Sequence, residues 1–302
     1  MLPKLFVIIV TYKGHQWYER CFTSLRNSEY PVQTIVIDNA SNDGTVEYIR
    51  EHFPEIHLIE SKENLGFGRA NNIGMRYALD NGGDYVFLLN QDTWIEEDSI
   101  EKLVRVAENH PEYGIISPIH LTSDKKSLNL MYEYSNHSFS HNLLSDLYCG
   151  MPLKDIYQTD YVNAAAWLLP RKILEYVGGF DPIFRHYEED DSYLLRTQYH
   201  SFKIGICPSA IIVHDHIESV LSNDCSPIRQ QQYLLVDWTN INQSFSIWKE
   251  SRYYSRKWLS YLLAGNFKQA RIMRNQMRYC FDMRKAIEFS RTENKQKKSS
   301  WL

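Results

Sequence analysis

Cysteine is scarce in this sequence, and its few cysteines follow no recognisable pattern. Five cysteines are spread over 302 residues, without a CxxC pair or a compact cluster. Disulfide frameworks and structural zinc sites both depend on several cysteines at short, regular spacings. The sequence therefore predicts reduced thiols in a cytoplasmic protein and argues against the disulfide-rich secreted and zinc-binding classes.

Long apolar runs are absent as well. The β-rich run at residues 5–10 is too short for a secretory signal peptide, and no run approaches the roughly 18 residues that a spanning helix needs. We expect a chain that does not cross a membrane, although it could lie peripherally on the inner face of the cell membrane.

Two glycine-rich nucleotide signatures are missing. A dinucleotide-binding fold carries GxGxxG directly after its first strand, where this chain has TYKGH at residues 11–15. Gly66 and Gly68 follow the third predicted strand and lack the third glycine, and no Walker A sequence is present. These absences disfavour nicotinamide-dependent and P-loop enzymes.

Charge of one sign does not dominate, but it is unevenly distributed. The formal net charge of −4 gives no case for a nucleic-acid partner. From Lys249 onward there are 14 lysines and arginines against 4 acids, so this end carries +10 and residues 1–248 carry −14. Helical patterns rich in aromatic and basic residues either lie on an anionic membrane or form a cap on the rest of the protein. Roughly the last ten residues are expected to be disordered.

What the sequence does contain is an alternation of strands and helices. Apolar strand patterns alternate with amphipathic helix patterns through the first third of the chain, which is typical of right-handed βαβ units and a parallel sheet. The strands are predicted at residues 5–10, 33–37, 56–60 and 85–89, and the helices at 17–26, 46–53 and 69–81.

Polar residues follow these strands at the point where each strand ends. Thr11, Asp38, Asn90 and Asp92 occupy such positions, and ligands of open α/β sheets bind at this edge. The oxygens of Asn90 and Asp92 suit a hard divalent cation such as Mg²⁺ or Mn²⁺. A polar turn or a helix cap is the alternative at residues 90–93. The set favours a nucleotide-diphosphate substrate.

Four segments, in this order, resemble glycosyltransferase family 2, whose members are inverting enzymes of the GT-A fold. The segments are VIIVTYK at residues 7–13, IVIDNASNDGT at 35–45, NLGFGRANNIG at 64–74 and VFLLNQDT at 86–93. The resemblance is to the non-processive, rhamnosyltransferase-like members.

The resemblance implies an α/β protein with a mostly parallel, Rossmann-like sheet, flanking helices and a helical C-terminal extension. It implies a catalytic domain at residues 1–230, made of a nucleotide-binding half at 1–110 and an acceptor-binding half at 111–230. The extension would then occupy residues 231–302.

The same resemblance implies the donor and metal contacts. In the family, the position of Asp38 contacts the nucleobase, and that of Asp92 ends a DxD-like metal motif in which this chain has Asn90 in place of an aspartate. A histidine after a later strand would assist Asp92, and His214 is favoured over His216. The implied nucleotide-sugar contacts are Thr11, Tyr12, Asp38, Asn39, Asn64, Gly66, Phe67, Ala70, Asn71, Asn90, Gln91 and Asp92.

Four consecutive acids at residues 188–191 carry the expected catalytic base. Repulsion among them costs stability unless something offsets it, and a solvated helix start is the alternative because acids favour the first turn. The segment resembles the acidic motif that the family places ahead of an arginine, here Arg196. The resemblance implies Asp190 as the base, with Asp191 as its rival and Glu189 beside it.

The stretch YVNAAAWLLPR at residues 161–171 resembles the family's small-residue strand, which faces the sugar and the acceptor. The resemblance implies acceptor contacts at Ala165, Ala166 and Trp167. Small side chains leave room for a ligand beside the backbone, and tight packing is the alternative explanation for the alanines.

The implied reaction is metal-dependent, inverting transfer of a hexose, an N-acetylhexosamine or rhamnose, in one displacement, from a UDP- or dTDP-sugar to a hydroxyl of a glycan or lipid-linked glycan. Such an enzyme would serve polysaccharide biosynthesis at the cell envelope. Absence of a QxxRW motif argues against a processive synthase. A catalytically inactive nucleotide-sugar-binding protein and a nucleotidyltransferase are the alternatives, and a glycosidase has no use for a nucleotide crevice.

Overall fold

The structure is a computed structural model that describes residues 2–129, 132, 142–215 and 227–302. Its strands are β1 (Leu5–Thr11), β2 (Val32–Asp38), β3 (His57–Glu60), β4 (Tyr85–Leu89), β5 (Thr93–Ile95), β6 (Tyr113–Leu121), β7 (Tyr157–Thr159), β8 (Ala166–Pro170) and β9 (Lys203–His214). In this part of the chain they form one nine-stranded sheet in the order β3-β2-β1-β4-β8-β6-β9-β5, with β7 paired to β9.

Helices flank the sheet and extend beyond it. They are α1 (His15–Arg26), α2 (Thr45–His52), α3 (Phe67–Asp80), α4 (Ser99–Asn109), α5 (Leu143–Tyr148), α6 (Arg171–Tyr176), α7 (Glu189–Tyr199), α8 (Pro227–Thr239), α9 (Ile247–Leu263) and α10 (Phe267–Asn294). Among the described helices, none is both long enough and apolar enough to cross a membrane.

The first half of the sheet is parallel. β1 pairs in parallel with β2 and β4, and β2 pairs in parallel with β3. The strands are apolar on both faces because helices cover both faces of the sheet. In the register of β1 with β2, Thr11 stands beside Asp38, so the polar residues at these two strand ends are neighbours, as the sequence predicts.

The second half of the sheet is mixed. β8 lies between β4 and β6 and runs antiparallel to both, whereas β6 and β9 are parallel. β5 and β7 each pair antiparallel with β9. The alternation of strand and helix patterns that predicts the parallel half covers only the first third of the chain, so it does not specify the direction of these later strands.

The three C-terminal helices share a separate apolar core. Leu235 and Trp238 of α8, Tyr254 of α9 and Cys280 of α10 are buried together against Phe184, which lies shortly before α7. One face of this basic and aromatic region therefore packs on the rest of the protein. This is the cap that the sequence predicts as one of two roles for the region.

The end of the chain contacts the turn that follows α6. The Gly179 amide donates a 2.8 Å hydrogen bond to the Ser300 carbonyl oxygen. The indole N–H of Trp301 donates to Asn294 Oδ1 at 2.8 Å. The sequence predicts disorder for roughly the last ten residues, whereas the structure gives them specific partners, because Gly178 leaves room for the Ser300 backbone to approach.

Candidate active site

Asp38 is the centre of the first polar group at the carboxyl edge of the sheet. Its side chain is almost fully buried. Oδ1 accepts a hydrogen bond from the Thr11 hydroxyl at 3.1 Å, and Oδ2 accepts one from the Ser41 amide at 2.9 Å. These two bonds fix the carboxylate at the end of β2, and a carboxylate with two oxygens can accept further donors from a ligand.

Tyr12 and Gln91 join the ends of β1 and β4. The Tyr12 amide donates to Gln91 Oε1 at 2.9 Å, and Gln91 Nε2 donates to the Tyr12 carbonyl at 3.2 Å. A Cβ at Gly14 would lie 2.5 Å from Gln91 Oε1, so a larger residue there would displace the Gln91 amide from this pair. The Tyr12 ring remains partly exposed beside this pair.

Asn39 organises the loop ahead of α3. Its Oδ1 accepts from the Leu65 amide at 2.7 Å, and its Nδ2 donates to Asn64 Oδ1 at 3.1 Å. Asn64 Oδ1 in turn accepts from the Gly66 amide at 2.9 Å. Gly66 has a φ of +80°, and a Cβ there would collide with the carbonyl oxygen of Arg185. The loop before α3 is thus in contact with the loop that precedes the acids.

The remaining predicted nucleotide-sugar contacts on α3 have different surroundings. The rings of Phe67 and Phe180 pack edge to face, with centroids 5.5 Å apart. Asn71 donates from Nδ2 to the Phe67 carbonyl at 3.0 Å. Ala70 is fully buried in the core beneath the sheet, a position that does not favour contact between its side chain and a ligand.

Asp92 and His214 meet where β5 pairs with the end of β9. Asp92 Oδ1 lies 3.5 Å from His214 Nε2, and both side chains are largely buried. The pairing of β5 with β9 sets Thr93 opposite His214 and produces this approach. Among the described residues there is no group of three or more His, Cys, Asp or Glu side chains that could hold a metal. His216, the alternative histidine, lies outside the described residues.

The alanine stretch connects the Asn90 side of the crevice to the acids. The Asn90 amide donates to the Ala165 carbonyl at 2.9 Å. Burial raises the pKa of Asp190, and the Ala164 amide opposes this rise by stabilising the charged carboxylate. We call this backbone link between Asn90 and Asp190, through Ala164 and Ala165, the alanine bridge.

The other two predicted acceptor residues belong to the core. Ala166 and Trp167 lie in β8 and are fully buried. The Trp167 ring stacks on Phe180 at 6.2 Å and lies against Tyr193 at 5.8 Å. These contacts hold the indole inside the protein, so its side chain does not line the crevice, and tight packing accounts for its position.

The four acids lie at the start of α7 and do not form an ordinary solvated helix start. Tyr187 and Glu188 both have a φ of +67°, a strained conformation for side chains of this size. Burial, reinforced by the charge of Asp190, raises the pKa of Glu189 to about 7. A Cβ at Gly68 would lie 3.7 Å from the Glu189 Cβ, so this acid abuts α3.

Asp190 and Asp191 differ in what surrounds them. Burial raises the pKa of both carboxyls. For Asp191 the charges of Asp190 and Glu188 add to this, and its pKa rises to about 8. Glu188 and Asp191 share a hydrogen bond that favours the proton on Asp191. For Asp190, backbone amides of Ala164, Asp190 and Asp191 oppose the rise by stabilising its charged form.

Helix α8 contributes two residues that sequence analysis did not identify. Arg229 Nε lies 3.8 Å from Glu188 Oε1. The guanidinium also lies over the rings of Tyr187 and Tyr233, at 5.5 Å and 5.8 Å from their centroids. Arg229 and Tyr233 are four residues apart and so share a helix face, but the sequence does not reveal that this face meets the acids.

Two curated proteins resemble this chain over most of their length. A hexosyltransferase of low-salt glycan biosynthesis, Agl10 from Haloferax volcanii, is 26% identical over 219 residues, which cover 71% of this chain and 68% of that protein. An N-acetylglucosaminyl-diphospho-decaprenol L-rhamnosyltransferase from Mycobacterium tuberculosis is 25% identical over 244 residues, which cover 72% of this chain and 78% of that protein.

A solved structure shares the fold. The mannosyltransferase PcManGT from Pyrobaculum calidifontis, in complex with GDP-Man and Mn²⁺, superposes with a TM-score of 0.55 and 17% sequence identity. The match covers 93% of this chain and 76% of that chain. This likeness identifies the fold as GT-A, an α/β sheet with flanking helices.

Two family models match the chain over long stretches. The model described as glycosyl transferase family 2 matches residues 6–157, and that described as glycosyl transferase family group 2 matches residues 85–277. Together they include the Asp38 group, the Asp92 and His214 pair and the acids of α7. The chain therefore belongs to glycosyl transferase family 2 and is an inverting glycosyltransferase that uses a nucleotide-sugar donor.

Proposed function

We propose that this enzyme transfers a hexose or rhamnose from a UDP- or dTDP-sugar to a hydroxyl of a glycan or lipid-linked glycan, with a divalent metal. The observation that carries the proposal is the alanine bridge, which connects Asn90, beside the predicted metal ligand, to the predicted base Asp190. A transferase needs its donor diphosphate and its catalytic base on either side of one anomeric carbon. Contact of both Asn90 and Asp190 with the adjacent residues Ala164 and Ala165 supports such a placement.

For the donor, the residues at the ends of β1 and β2 would hold the nucleoside. Asp38 would accept a hydrogen bond from the nucleobase, since its carboxylate is fixed by Thr11 and Ser41. The Tyr12 and Gln91 pair would flank the nucleoside at the mouth of the crevice. The named activities of the hexosyl- and rhamnosyltransferase relatives support the choice of sugar.

The residues present fit a divalent metal of the Mg²⁺ or Mn²⁺ kind. Asp92 and His214 provide one oxygen and one nitrogen donor within 3.5 Å of each other. Mg²⁺ sites in phosphate-transferring enzymes commonly use one or two carboxylates, here that of Asp92, and complete the shell with water and substrate phosphates. When bound, the metal would neutralise charge on the departing diphosphate. Mn²⁺ in the mannosyltransferase of the same fold supports this assignment.

For the base we propose Asp190. Burial raises the pKa of both carboxyls, to about 8 for Asp191, which therefore holds its proton at neutral pH, whereas for Asp190 three backbone amides oppose the rise. Asp190 would take the proton of the acceptor hydroxyl while that oxygen bonds to the anomeric carbon. The bond from this carbon to the diphosphate breaks in the same step, and the nucleoside diphosphate leaves with the electron pair. A single displacement of this kind inverts the anomeric centre.

The acceptor would approach from the side of α8. Tyr187 and Tyr233 are both more than half exposed beside the acids, and aromatic rings of this kind suit the apolar faces of sugars. A lipid-linked acceptor would lie at a membrane surface, and we propose that the C-terminal helices bring the enzyme there.

A thermal-shift screen of nucleotide sugars with Mn²⁺ tests the donor, since a ligand of the folded state raises the apparent Tm by mass action. We expect UDP- or dTDP-hexoses or dTDP-rhamnose to give the largest shift. Product analysis of the preferred donor should then show release of the nucleoside diphosphate. Release of pyrophosphate, or no transfer to any glycan acceptor despite donor binding, would contradict the proposal.

A further inference from the structure

Helix α9 has an inner and an outer apolar side. On the inner side Tyr254 is buried, and its ring lies 6.4 Å from that of Trp238. Trp248, Leu259 and Leu263 follow a different helical stripe, since offsets of 11 and 15 residues from Trp248 return to the same side of a helix. They are 75%, 51% and 82% exposed, so the described part of the chain leaves this side uncovered.

Basic residues occupy the same stripe. Arg252 and Arg256 lie four and eight residues after Trp248, and both are exposed. Residues 247–278 contain eight lysines and arginines, all exposed, and one glutamate, for a net charge of +7. Glu250 accepts a hydrogen bond from the Trp238 indole at 3.3 Å and is directed to the inner side.

The turn between α9 and α10 adds a second exposed apolar group. Leu263 is the last residue of α9, and Phe267, the first residue of α10, is 71% exposed. Gly265 between them has a φ of +70°, which permits the tight reversal. The tip of the α9–α10 hairpin therefore presents leucine and phenylalanine together, flanked by arginines and lysines.

We infer that this surface, formed by Trp248, Arg252, Arg256, Leu259, Leu263 and Phe267 and here called the hairpin face, docks on an anionic lipid membrane. A bilayer with acidic headgroups accepts both features at once, because apolar side chains enter the boundary region and basic ones meet the headgroups. A second copy of the same face would bring two surfaces of net positive charge together, which disfavours a homodimer.

The inference deepens the proposed membrane contact and gives it a surface. The hairpin is joined to the active site by its inner side, since Phe184 packs in the same apolar cluster as Tyr254 and Cys280. Arg185 follows Phe184 directly in the chain, and the acids begin at Glu188, four residues after Phe184. Docking through the outer side thus leaves these inner contacts unchanged.

Co-sedimentation of the full-length protein with vesicles tests the inference. One set of vesicles contains phosphatidylcholine alone, and the other contains phosphatidylcholine with an equal amount of phosphatidylglycerol. We expect binding to the anionic set, weakened by added salt. Arg252→Glu with Arg256→Glu should lower the affinity about fivefold or more for each charge reversed. The control, Arg105→Glu with Lys126→Glu, has the same change in net charge at exposed sites elsewhere.

The apolar contribution has its own matched pair. Leu259→Ser with Leu263→Ser should reduce vesicle binding, whereas Leu144→Ser with Leu147→Ser, two exposed leucines of α5, should not. Wild-type protein that ignores anionic vesicles, or hairpin variants that bind as well as their controls, would overturn the inference. A wild-type dimer, detected by light scattering, would also overturn the inference if Leu259→Ser with Leu263→Ser dissociated it. Transfer to a soluble acceptor should persist in all four variants, which separates this inference from the proposed function.

Discussion

Asp92 Oδ1 and His214 Nε2 lie 3.5 Å apart because the antiparallel pairing of β5 with β9 brings together two residues that are distant in the chain. We propose that these two side chains bind the metal that transfer requires. Chelation should therefore abolish transfer, and added Mn²⁺ or Mg²⁺ should restore it. Asp92→Asn and His214→Gln should each raise the Mn²⁺ concentration for half-maximal activity about tenfold or more, since even residues behind a metal ligand commonly change affinity by that factor.

Metal titrations of activity measure this effect, with Glu97→Gln as the control. Glu97 is an exposed carboxylate just after β5, so its removal tests the loss of nearby charge alone. Full activity in excess chelator, or the same rise in the half-maximal Mn²⁺ concentration in the control, would contradict the assignment of Asp92 and His214 as metal ligands.

The neighbouring carboxyls of Asp190 and Asp191 should respond unequally to the same substitution. Asp190→Asn should lower kcat by about 10²–10⁴-fold, the usual contribution of a general base. Asp191→Asn should retain most activity at neutral pH, because a pKa of about 8 already keeps Asp191 protonated and an amide resembles the neutral acid.

Donor binding, measured by the thermal shift that the nucleotide sugar produces, should be nearly the same in both variants. The reverse order of kcat values would exchange the roles of the two aspartates. Loss of donor binding in Asp190→Asn would indicate a structural role in place of proton transfer.

Stability should depend on pH through Asp191. Its pKa of about 8 in the folded protein exceeds the unfolded value of about 3.9, so between these values the folded state holds a proton that the unfolded state has released. The free energy of unfolding then falls as the pH rises from about 4 to about 8. An asparagine cannot ionise, so Asp191→Asn should raise Tm little near pH 4 and progressively more up to about pH 8.

Thermal unfolding of the wild type and Asp191→Asn across this range measures the difference. Asp155→Asn serves as the control, because Asp155 is exposed and its removal should have nearly the same effect on Tm at every pH. A gain from Asp191→Asn that does not grow with pH would contradict the burial of the Asp191 charge.

Gly66 should be less replaceable than Gly82, another glycine with a positive φ. Gly66 and Gly82 have φ of +80° and +74°, so alanine should cost each about 1–2 kcal/mol in the free energy of unfolding. At Gly66 the new Cβ also meets the Arg185 carbonyl, whereas at Gly82 nothing lies within 4 Å. Gly66→Ala should therefore cost about 1–3 kcal/mol more, the usual penalty of overpacking.

Chemical denaturation of the two variants gives this difference directly. We also expect Gly66→Ala to raise KM for the donor, because the displaced loop carries Asn64 and leads into α3. Equal losses of stability in the two variants would show that the contact with Arg185 is not tight in solution.

The sequence predicts the donor side of this site better than the acceptor side. Thr11, Asp38 and Asp92 follow strands whose apolar patterns are unambiguous, and parallel neighbours necessarily end at the same edge. The predicted helices also begin and end within a few residues of α1, α2 and α3. Here local pattern and tertiary position carry the same information.

The acceptor side could not be predicted in the same way. The sequence 163–167 is compatible with a ligand surface or with a packed strand, and only the antiparallel insertion of β8 decides that Trp167 faces Phe180 and Tyr193. Arg229 is distant in the chain from Glu188, and their approach depends on how α8 packs against α7. Such positions follow from tertiary packing, which no local pattern encodes.

The place of β8 in the sheet also bears on how the chain can be divided. β8 is hydrogen-bonded to β4 on one side and to β6 on the other, so a fragment of residues 1–110 would leave β4 with an open edge. Unpaired edges of apolar strands invite association with other chains. We therefore expect the predicted nucleotide-binding half, expressed alone, to aggregate, and the two predicted halves to unfold as one cooperative unit in the intact protein.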